Sequence, residues 1–259
     1  MFEKVQTFYF SPTNTTEKIV TALAHEFDQP IRKIAITSKK TREKSYSFNP
    51  SNLAIIGAPV YAGRIPPLLE TFFKTLEGNN TPTVIIALYG NRDYDDALLE
   101  MRDLLSEQGF NIIAAGAFIG QHSYTRKVGT NRPDAKDLEV VMNFAQDILK
   151  KLNNNSSDDK VLQVKGNYPY KERKSGDIFA PITSNLCIHC GLCAKVCPVQ
   201  AINHNDVTSI NGELCIHCCK CIHVCPTDAK KFEHPFIIKL TKKLIDTCGE
   251  VRKEPELFL

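Results

Sequence analysis

Residues 187–198 read CIHCGLCAKVCP, and residues 215–226 read CIHCCKCIHVCP. Each run places four cysteines at the spacing C-x2-C-x2-C-x3-C and follows the last cysteine with a proline. Every cysteine of the second run lies 28 residues after its counterpart, as residue 215 does after residue 187. A repeat this regular predicts two similar half-domains in the carboxy-terminal part of the chain, each built around a group of thiols.

The spacing of these cysteines suits a cluster of several metal atoms. Three thiolates on one tight loop can cap three irons of a cubane, and the fourth ligand then comes from elsewhere. The runs resemble those of the bacterial two-cluster ferredoxins, in which the fourth cysteine of a run ligates the other cluster. The resemblance covers about residues 183–234 and implies two [4Fe–4S] clusters with crossed ligands. One cluster would use Cys187, Cys190, Cys193 and Cys225, and the other Cys215, Cys218, Cys221 and Cys197.

Zinc and disulfides are the alternative uses of so many cysteines. Zinc ribbons use paired C-x2-C knuckles, but they do not require a third and fourth cysteine at these offsets followed by proline. A disulfide framework is typical of exported chains. The stretch Met1–Val5 lacks the basic flank and apolar core of a signal peptide, so we expect a cytoplasmic protein.

Two cysteines and two histidines lie near this pattern without belonging to it. Cys219 takes the place of Gly191 of the first run, so its register predicts a spare thiol rather than a ligand. Cys248 lies in the tail and is interpreted as a small buried apolar residue. His189 and His217 could ligate iron, but packing or exposure within the loops is the simpler interpretation.

The first half of the chain alternates short apolar runs with amphipathic stretches. Strands are predicted at 5–10, 31–36, 53–58, 83–89 and 111–118, and helices at 15–27, 66–76, 93–108 and 134–152. Such alternation predicts an α/β fold, a five-stranded doubly wound parallel sheet whose ligand lies beyond the carboxyl ends of the strands. The expected organisation is this domain at 1–152, a linker at 153–178, a small α+β domain at 179–234 and a helical tail at 235–259.

The loop after the first predicted strand is rich in hydroxyls. It contains Ser11, Thr13, Asn14, Thr15 and Thr16 and leads directly into a helix. Hydroxyls and backbone amides at a helix N-terminus can bind an anion without a lysine, whereas an N-cap accounts for only one hydroxyl. The loop resembles the phosphate loop of flavodoxins, roughly [ST]-x-T-G-x-T, with asparagine in place of glycine. This resemblance covers about residues 3–152 and implies a bound FMN.

Two further loops at carboxyl strand ends extend the resemblance. In flavodoxins the corresponding loops enclose the isoalloxazine ring, which implies Tyr61 and Tyr94 as stacking residues and Gly63 or Gly90 beside the flavin N5. Either tyrosine could instead be a half-exposed loop residue. The implied residues are Pro59, Val60, Tyr61, Ala62 and Gly63 in the first loop, and Tyr89, Gly90, Asn91, Arg92, Tyr94 and Asp95 in the second.

The segment from Gly120 to Pro133 is unusually long for a loop at the ligand end of a sheet, and such loops are often functional. It could cover a flavin or receive the second domain. His122 and Arg126 within it could be no more than surface residues.

Charge and hydropathy exclude two classes of partner. The net charge is +3, and no segment has the dense basic stripe of a nucleic-acid binder. No apolar run approaches the ~20 residues of a membrane span. Neither the dinucleotide motif G-x-G-x-x-G nor the P-loop motif occurs, so direct nicotinamide binding has no motif support.

Together the two resemblances predict a flavodoxin–ferredoxin fusion that passes electrons between two [4Fe–4S] clusters and FMN. Its partners would be redox proteins, such as a ferredoxin-linked donor or acceptor, in low-potential anaerobic metabolism. One alternative is an FMN-dependent reductase of a small acceptor, such as a quinone or nitro compound. Another is a ferredoxin module on a flavodoxin-like scaffold that binds no flavin. No acid–base pair or nucleophile distinguishes the first two hypotheses, and whether the chain is an enzyme stays open.

Overall fold

The computed structural model describes residues 2–153, 161–173 and 178–259. These described residues contain ten strands: β1 (Val5–Tyr9), β2 (Ile31–Ala35), β3 (Tyr46–Ser47), β4 (Leu53–Pro59), β5 (Leu76–Glu77), β6 (Pro82–Tyr89), β7 (Asn111–Ile119), β8 (Ile182–Thr183), β9 (Lys230–Lys231) and β10 (Glu256–Phe258). The helices are α1 (Thr15–His25), α2 (Lys39–Arg42), α3 (Pro67–Phe73), α4 (Ala97–Glu107), α5 (Ala135–Asn153), α6 (Leu192–Val196), α7 (Lys220–His223) and α8 (Pro235–Cys248).

The central sheet has the order β10-β7-β6-β4-β1-β2. Its five longer strands run parallel, in register over pairs such as Phe8 with Ile56 and Ile56 with Ile85. These are the five strands that the apolar runs predict, and the flavodoxin-like α/β fold is confirmed. The carboxyl ends of β1, β4 and β6 therefore meet at one edge, where their loops can share a ligand.

Helices cover both faces of the sheet, because alternate strand residues point to opposite sides. On one face α1 and α5 pack through Val20 and Phe144. On the other face α3 and α4 pack through Phe73 and Met101. Both cores are built mainly from apolar side chains.

The tail was predicted to contain an amphipathic helix from Pro235 to about Val251, and helix α8 occupies this stretch as far as Cys248. Helix α8 ends there, and residues 256–258 form a strand antiparallel to β7, with Leu257 opposite Gly116. The added strand satisfies the free backbone groups of β7, which would otherwise be an open sheet edge. A three-residue strand has too short a pattern to be recognised in the sequence. No helix in the described part of the chain is both long and apolar enough for a bilayer span.

The carboxy-terminal domain shows the sequence repeat in its backbone. The non-helical residues His189 and His217 have φ of 53° and 55°, and Gly191 and Cys219 have φ of 76° and 60°. The latter two immediately precede α6 and α7. Each cysteine run thus folds into the same tight loop, which turns through two left-handed residues before a short helix. Strands β8 and β9 pair antiparallel beside these loops.

The linker between the domains is partly described, and its residues 154–160 and 174–177 lie outside the described residues. Residues 161–173 have no regular secondary structure but pack along α4. The Asn167 amide donates to Asp96, the Tyr170 hydroxyl donates to Asp103, and Arg173 pairs with Glu100. This part of the linker is therefore held by polar contacts to the flavodoxin-like domain.

Candidate functional site: two thiol cavities beside a hydroxyl-rich loop

The first cysteine group lines one cavity in the carboxy-terminal domain. Its thiols are Cys187, Cys190 and Cys193 of the first run and Cys225 of the second. The Cys225 sulfur accepts a hydrogen bond from the Ala229 amide at 3.2 Å. Burial raises the pKa of the Cys225 thiol, but N–H donors of the loop after it outweigh burial and leave that pKa below its ordinary value. The thiolate form is thus stabilised more at this position than in a free cysteine.

The second group lines another cavity, formed by Cys215, Cys218 and Cys221 with Cys197 of the first run. The Cys197 sulfur accepts from the Ala201 amide at 3.3 Å, the counterpart of the contact at Cys225. Burial raises the pKa of the Cys218 and Cys221 thiols to about 12. These thiols are therefore protonated without metal, and metal binding would release protons.

The two cavities suit clusters rather than single ions. Among the described residues, no three His, Cys, Asp or Glu side chains converge closely enough to hold one metal ion. A [4Fe–4S] cluster is wider than an ion and takes one thiolate on each iron. Zinc instead draws four ligands to about 2.3 Å from one point. All ten cysteines are unpaired, which agrees with metal ligation and not with a disulfide framework.

The spare cysteines lie in different surroundings. Cys219 is buried against the flavodoxin-like domain, where the Ser123 side chain lies within hydrogen-bond reach of its thiol. Cys248 is buried with Val128 and Leu244 in a small apolar cluster. His217 stacks on Phe179 with a ring separation of 4.1 Å, as a packing residue does.

The hydroxyl-rich loop presents free donors at the start of α1, an 11-residue helix. Asn14 has φ of 66°, so it takes the left-handed conformation for which flavodoxins use glycine. The Ser11 hydroxyl accepts from the Glu17 amide, which leaves the amides of Thr13, Thr15 and Thr16 without an acceptor among the described residues. The Thr13 and Thr15 hydroxyl oxygens lie 3.4 Å apart. Such a donor set fits a phosphate group.

The loop after β4 is a tight turn that carries Tyr61. Tyr61 and Arg64 exchange backbone hydrogen bonds across Ala62 and Gly63, which have φ of 53° and 91°. Gly63 is required here because a Cβ would lie 2.1 Å from a carboxylate oxygen of Asp95. Beyond the turn, the Arg64 guanidinium makes two 2.7 Å hydrogen bonds to the buried Glu100.

The loop after β6 differs from what the resemblance implies. Tyr94 is 1% exposed, donates its hydroxyl to Glu256 and packs on Tyr89 in the core. The prediction that Tyr94 stacks on a flavin is therefore wrong. The Asn91 side chain is also buried and donates to the carbonyls of Cys248 and Val251. This loop is tied to the carboxy-terminal tail, which no local pattern in the sequence could reveal.

Two other residues of the second loop are placed differently from their predicted roles. Arg92 pairs with Asp95 at the surface of the loop. Gly90 is covered by the His122 ring, since a Cβ at Gly90 would lie 2.5 Å from His122 Cδ2. Burial and then the nearby Arg92 charge lower the pKa of His122 to about 4, so its ring is neutral at pH 7.

The long loop after β7 contacts the carboxy-terminal domain. The carbonyl of Ser123 lies 3.0 Å from a ring nitrogen of His223, and Tyr124 packs edge-on against Phe232 at 5.8 Å. Arg126 is an exposed side chain. Of the two roles predicted for residues 120–133, receiving the second domain is the one that these contacts show.

The second cysteine group lies at this interface between the domains. Burial raises the pKa of Tyr61 well above its ordinary value, and the adjacent thiols of Cys218 and Cys219 and the Tyr124 hydroxyl raise it further. Lys220 Nζ lies 3.4 Å from the Asn14 side-chain oxygen, and Arg42 donates to the Pro198 carbonyl at 2.6 Å. The second thiol cavity therefore adjoins the Tyr61 turn and the hydroxyl-rich loop.

Several buried charged side chains of the structure belong to no sequence motif. Glu100 interrupts an apolar helical stretch, and a buried charge of this kind is a signal that sequence reasoning could have used. Arg132, Asp137 and Lys230 are also buried charges, but nothing in their local sequence sets them apart.

Comparisons with known proteins agree with these two regions. Residues 6–132 match the family described as flavodoxin domain, and residues 186–229 match the family described as 4Fe-4S dicluster domain. The curated proteins contain no match to this chain.

Several solved structures resemble part of this chain. Oxidised flavodoxin 2 from Bacillus cereus aligns at 16% identity over 57% of this chain and 99% of its own, with a TM-score of 0.44. A flavodoxin from the Archaea aligns at 14% identity over 58% of this chain and 99% of its own, with a TM-score of 0.42. Rubredoxin oxygen:oxidoreductase from Desulfovibrio gigas aligns at 19% identity and a TM-score of 0.41, over 60% of this chain but only 37% of that one.

Proposed function

We propose that this chain, in which a flavodoxin domain precedes a 4Fe-4S dicluster domain, is an iron–sulfur flavoprotein that passes electrons between two [4Fe–4S] clusters and FMN. The proposed ligands are the two crossed cysteine sets. Cys187, Cys190, Cys193 and Cys225 hold the outer cluster, and Cys197, Cys215, Cys218 and Cys221 hold the inner one. The grouping of the thiols around two cavities supports this assignment.

The observation that carries the proposal is the position of the inner set. Cys218 lies beside Tyr61, on the turn that a flavodoxin uses against its flavin ring. Cys190 of the outer set is exposed to solvent. Electrons therefore enter or leave the dicluster domain at the outer set and cross to the flavin domain at the inner set. The direction of flow depends on the partner, which we propose is a redox protein.

FMN, when bound, supplies a centre that exchanges one or two electrons and so links the clusters to a second partner. We assign its phosphate to the amides and hydroxyls of Thr13, Thr15 and Thr16. Lys220 of the dicluster domain places a cation beside the same loop. The ring is assigned to the Tyr61 turn, without a contribution from the Tyr94 side chain or from Asn91, which is buried against the tail.

A reductase of a small acceptor is the second candidate. Such an acceptor needs open access to the flavin, whereas the side chains of Tyr61 and Tyr124 are half-buried and lie beside the thiols of Cys218 and Cys219. This contact favours electron transfer within the chain over direct reduction of a diffusing molecule at this edge.

Cofactor content tests the proposal directly. Protein purified under strict anaerobiosis is expected to contain about eight irons, eight acid-labile sulfides and one FMN per chain. Iron, sulfide and extracted flavin are measured on the same sample. Eight irons without flavin would leave only a ferredoxin module on a flavodoxin-like scaffold, and a sample with zinc in place of iron would refute the cluster assignment.

The phosphate assignment makes a separate prediction. The double variant Thr13→Val and Thr15→Val removes two hydroxyl donors to a charged group, so FMN should bind roughly ten- to a hundredfold more weakly. Equilibrium dialysis with detection of released flavin measures the change. Thr247→Val, at an exposed position on α8, is the control and should leave FMN affinity unchanged. Equal affinity in the double variant would place the phosphate elsewhere.

A further inference from the structure

Lys230 is a buried cation that has no carboxylate partner among the residues that the structure describes. Its side chain is only 2% exposed, and its ammonium donates to the Thr183 hydroxyl and the Val207 carbonyl, both at 2.5 Å. No ion pair to Lys230 occurs within the described ranges of the chain. Asp206, an acid whose pKa the Lys230 charge lowers, is exposed and accepts a hydrogen bond from Thr208 instead. Two neutral acceptors do not compensate a buried charge.

The negative charge that would compensate Lys230 can be located from the cavity beside it. It lies on β9 and lines the same cavity as the outer cysteine set. Its charge also reaches one thiol of each set. Burial raises the pKa of Cys193 and Cys221, and the Lys230 charge opposes both shifts. The ammonium is therefore placed to compensate negative charge in the outer cavity, and at a greater remove in the inner one.

A four-iron cluster with four thiolates is such an anion, with a charge of about −2 when oxidised and about −3 when reduced. A fixed cation in a medium of low dielectric constant stabilises the more negative form more strongly. Local charge and hydrogen bonding are among the features that set the potential of such a cluster. A buried lysine beside the thiols thus favours the reduced cluster.

We propose that Lys230 is the internal counter-ion of the iron–sulfur centres, and that its ammonium raises the reduction potential of the cluster held by Cys187, Cys190, Cys193 and Cys225. The proposal rests on the cluster assignment above. In this proposal Lys230 is not a ligand. Its charge shifts the reduction potential of the outer cluster, which exchanges electrons with the partner protein. The one-electron reductant is the partner protein in function and dithionite in the test.

The experiment compares Lys230→Met, Lys230→Gln and Lys230→Arg with the wild-type holoprotein. Iron and sulfide are measured first, and the cluster potentials are then obtained from anaerobic redox titrations followed by EPR. Lys231→Met is the matched control, because Lys231 is the next residue on the same strand and its side chain is exposed. The Gln variant keeps a donor for Thr183 and Val207 while it removes the charge.

We expect both neutral variants to have more negative outer-cluster potentials, such that the ratio of reduced to oxidised cluster at a fixed potential falls about tenfold. Lys230→Arg and Lys231→Met should titrate like the wild type. Neutral variants that keep their clusters at unchanged potential would overturn the proposal. If both neutral variants lose iron, retention of clusters by Lys230→Arg supports a charge role, and loss in all three shows that only packing matters. Wild-type protein without iron would instead refute the cluster assignment itself.

Discussion

The double variant Cys190→Ala and Cys225→Ala is expected to lose one cluster only, although its two substitutions lie in different cysteine runs. Both thiols line the outer cavity, so they serve the same cluster. The double variant Cys190→Ala and Cys197→Ala changes two thiols of the same run but of different cavities, and it should lose both clusters. Iron should fall to about four per chain in the first protein and towards zero in the second.

The comparison distinguishes crossed from uncrossed ligation without any need to resolve the two clusters spectroscopically. If each run held its own cluster, the outcomes for the two proteins would be exchanged. Iron and sulfide analysis of anaerobically purified protein is the measurement, with each single variant as a reference. The first protein should also keep the inner cluster beside Tyr61. Chemical reduction of its flavin through that cluster would then persist, as the proposed order of the centres requires.

Replacing Asp137 with alanine should destabilise the protein by about 3–5 kcal/mol, because it removes the buried counter-charge of a buried arginine. The other carboxylate near Arg132, that of Glu254 at 4.0 Å, is 63% exposed and cannot replace it. Arg132 is 4% and Asp137 0% exposed at the side chain. Arg132 Nε donates to one Asp137 oxygen at 2.9 Å, and its Nη2 donates to the other. The remaining Arg132 nitrogen donates to the carbonyl of Lys253, so the same arginine also holds the tail that leads to β10.

The matched control is Asp147→Ala on the same helix. Asp147 pairs with Lys150 at 2.8 Å, but the two side chains are 46% and 70% exposed. An exposed pair of this kind contributes ~0–1 kcal/mol. Urea unfolding of the anaerobic holoprotein, followed by circular dichroism, gives the comparison through the transition midpoints. A loss for Asp137→Ala no greater than that of the control would show that the buried pair does not hold the tail in place.

These two experiments depend on different kinds of information. The cysteine ligands tested in the first experiment were recognisable from their spacing, because that spacing is fixed by the tight loop that each run forms. The predicted strands were also recognisable, because apolar runs and amphipathic helices reflect burial on a sheet and on its faces. The loop motif at Thr13 likewise depends on local geometry, a left-handed residue followed by a helix.

Tyr94 illustrates where local patterns fail. Its place after β6 is that of a flavodoxin stacking residue, yet its hydroxyl bonds to Glu256, which lies 162 residues further along the chain. The added strand β10 and helix α8 cover this loop, and neither is predictable from residues 89–95. The buried pair of Arg132 and Asp137 has the same origin, because its burial depends on the tail.

By itself, the sequence determined the two domain types, the eight candidate cysteine ligands and the hydroxyl-rich loop, since each depends on residues close together in the chain. The tertiary structure alone decided that the inner thiols adjoin Tyr61, that Tyr94 belongs to the core and that Lys230 lies uncompensated beside the outer thiols. These features arise from contacts between distant segments, such as Lys220 with Asn14, 206 residues apart, and Lys230 with Thr183, 47 residues apart. The residues that flank a side chain in the sequence do not show which distant segment will bury it.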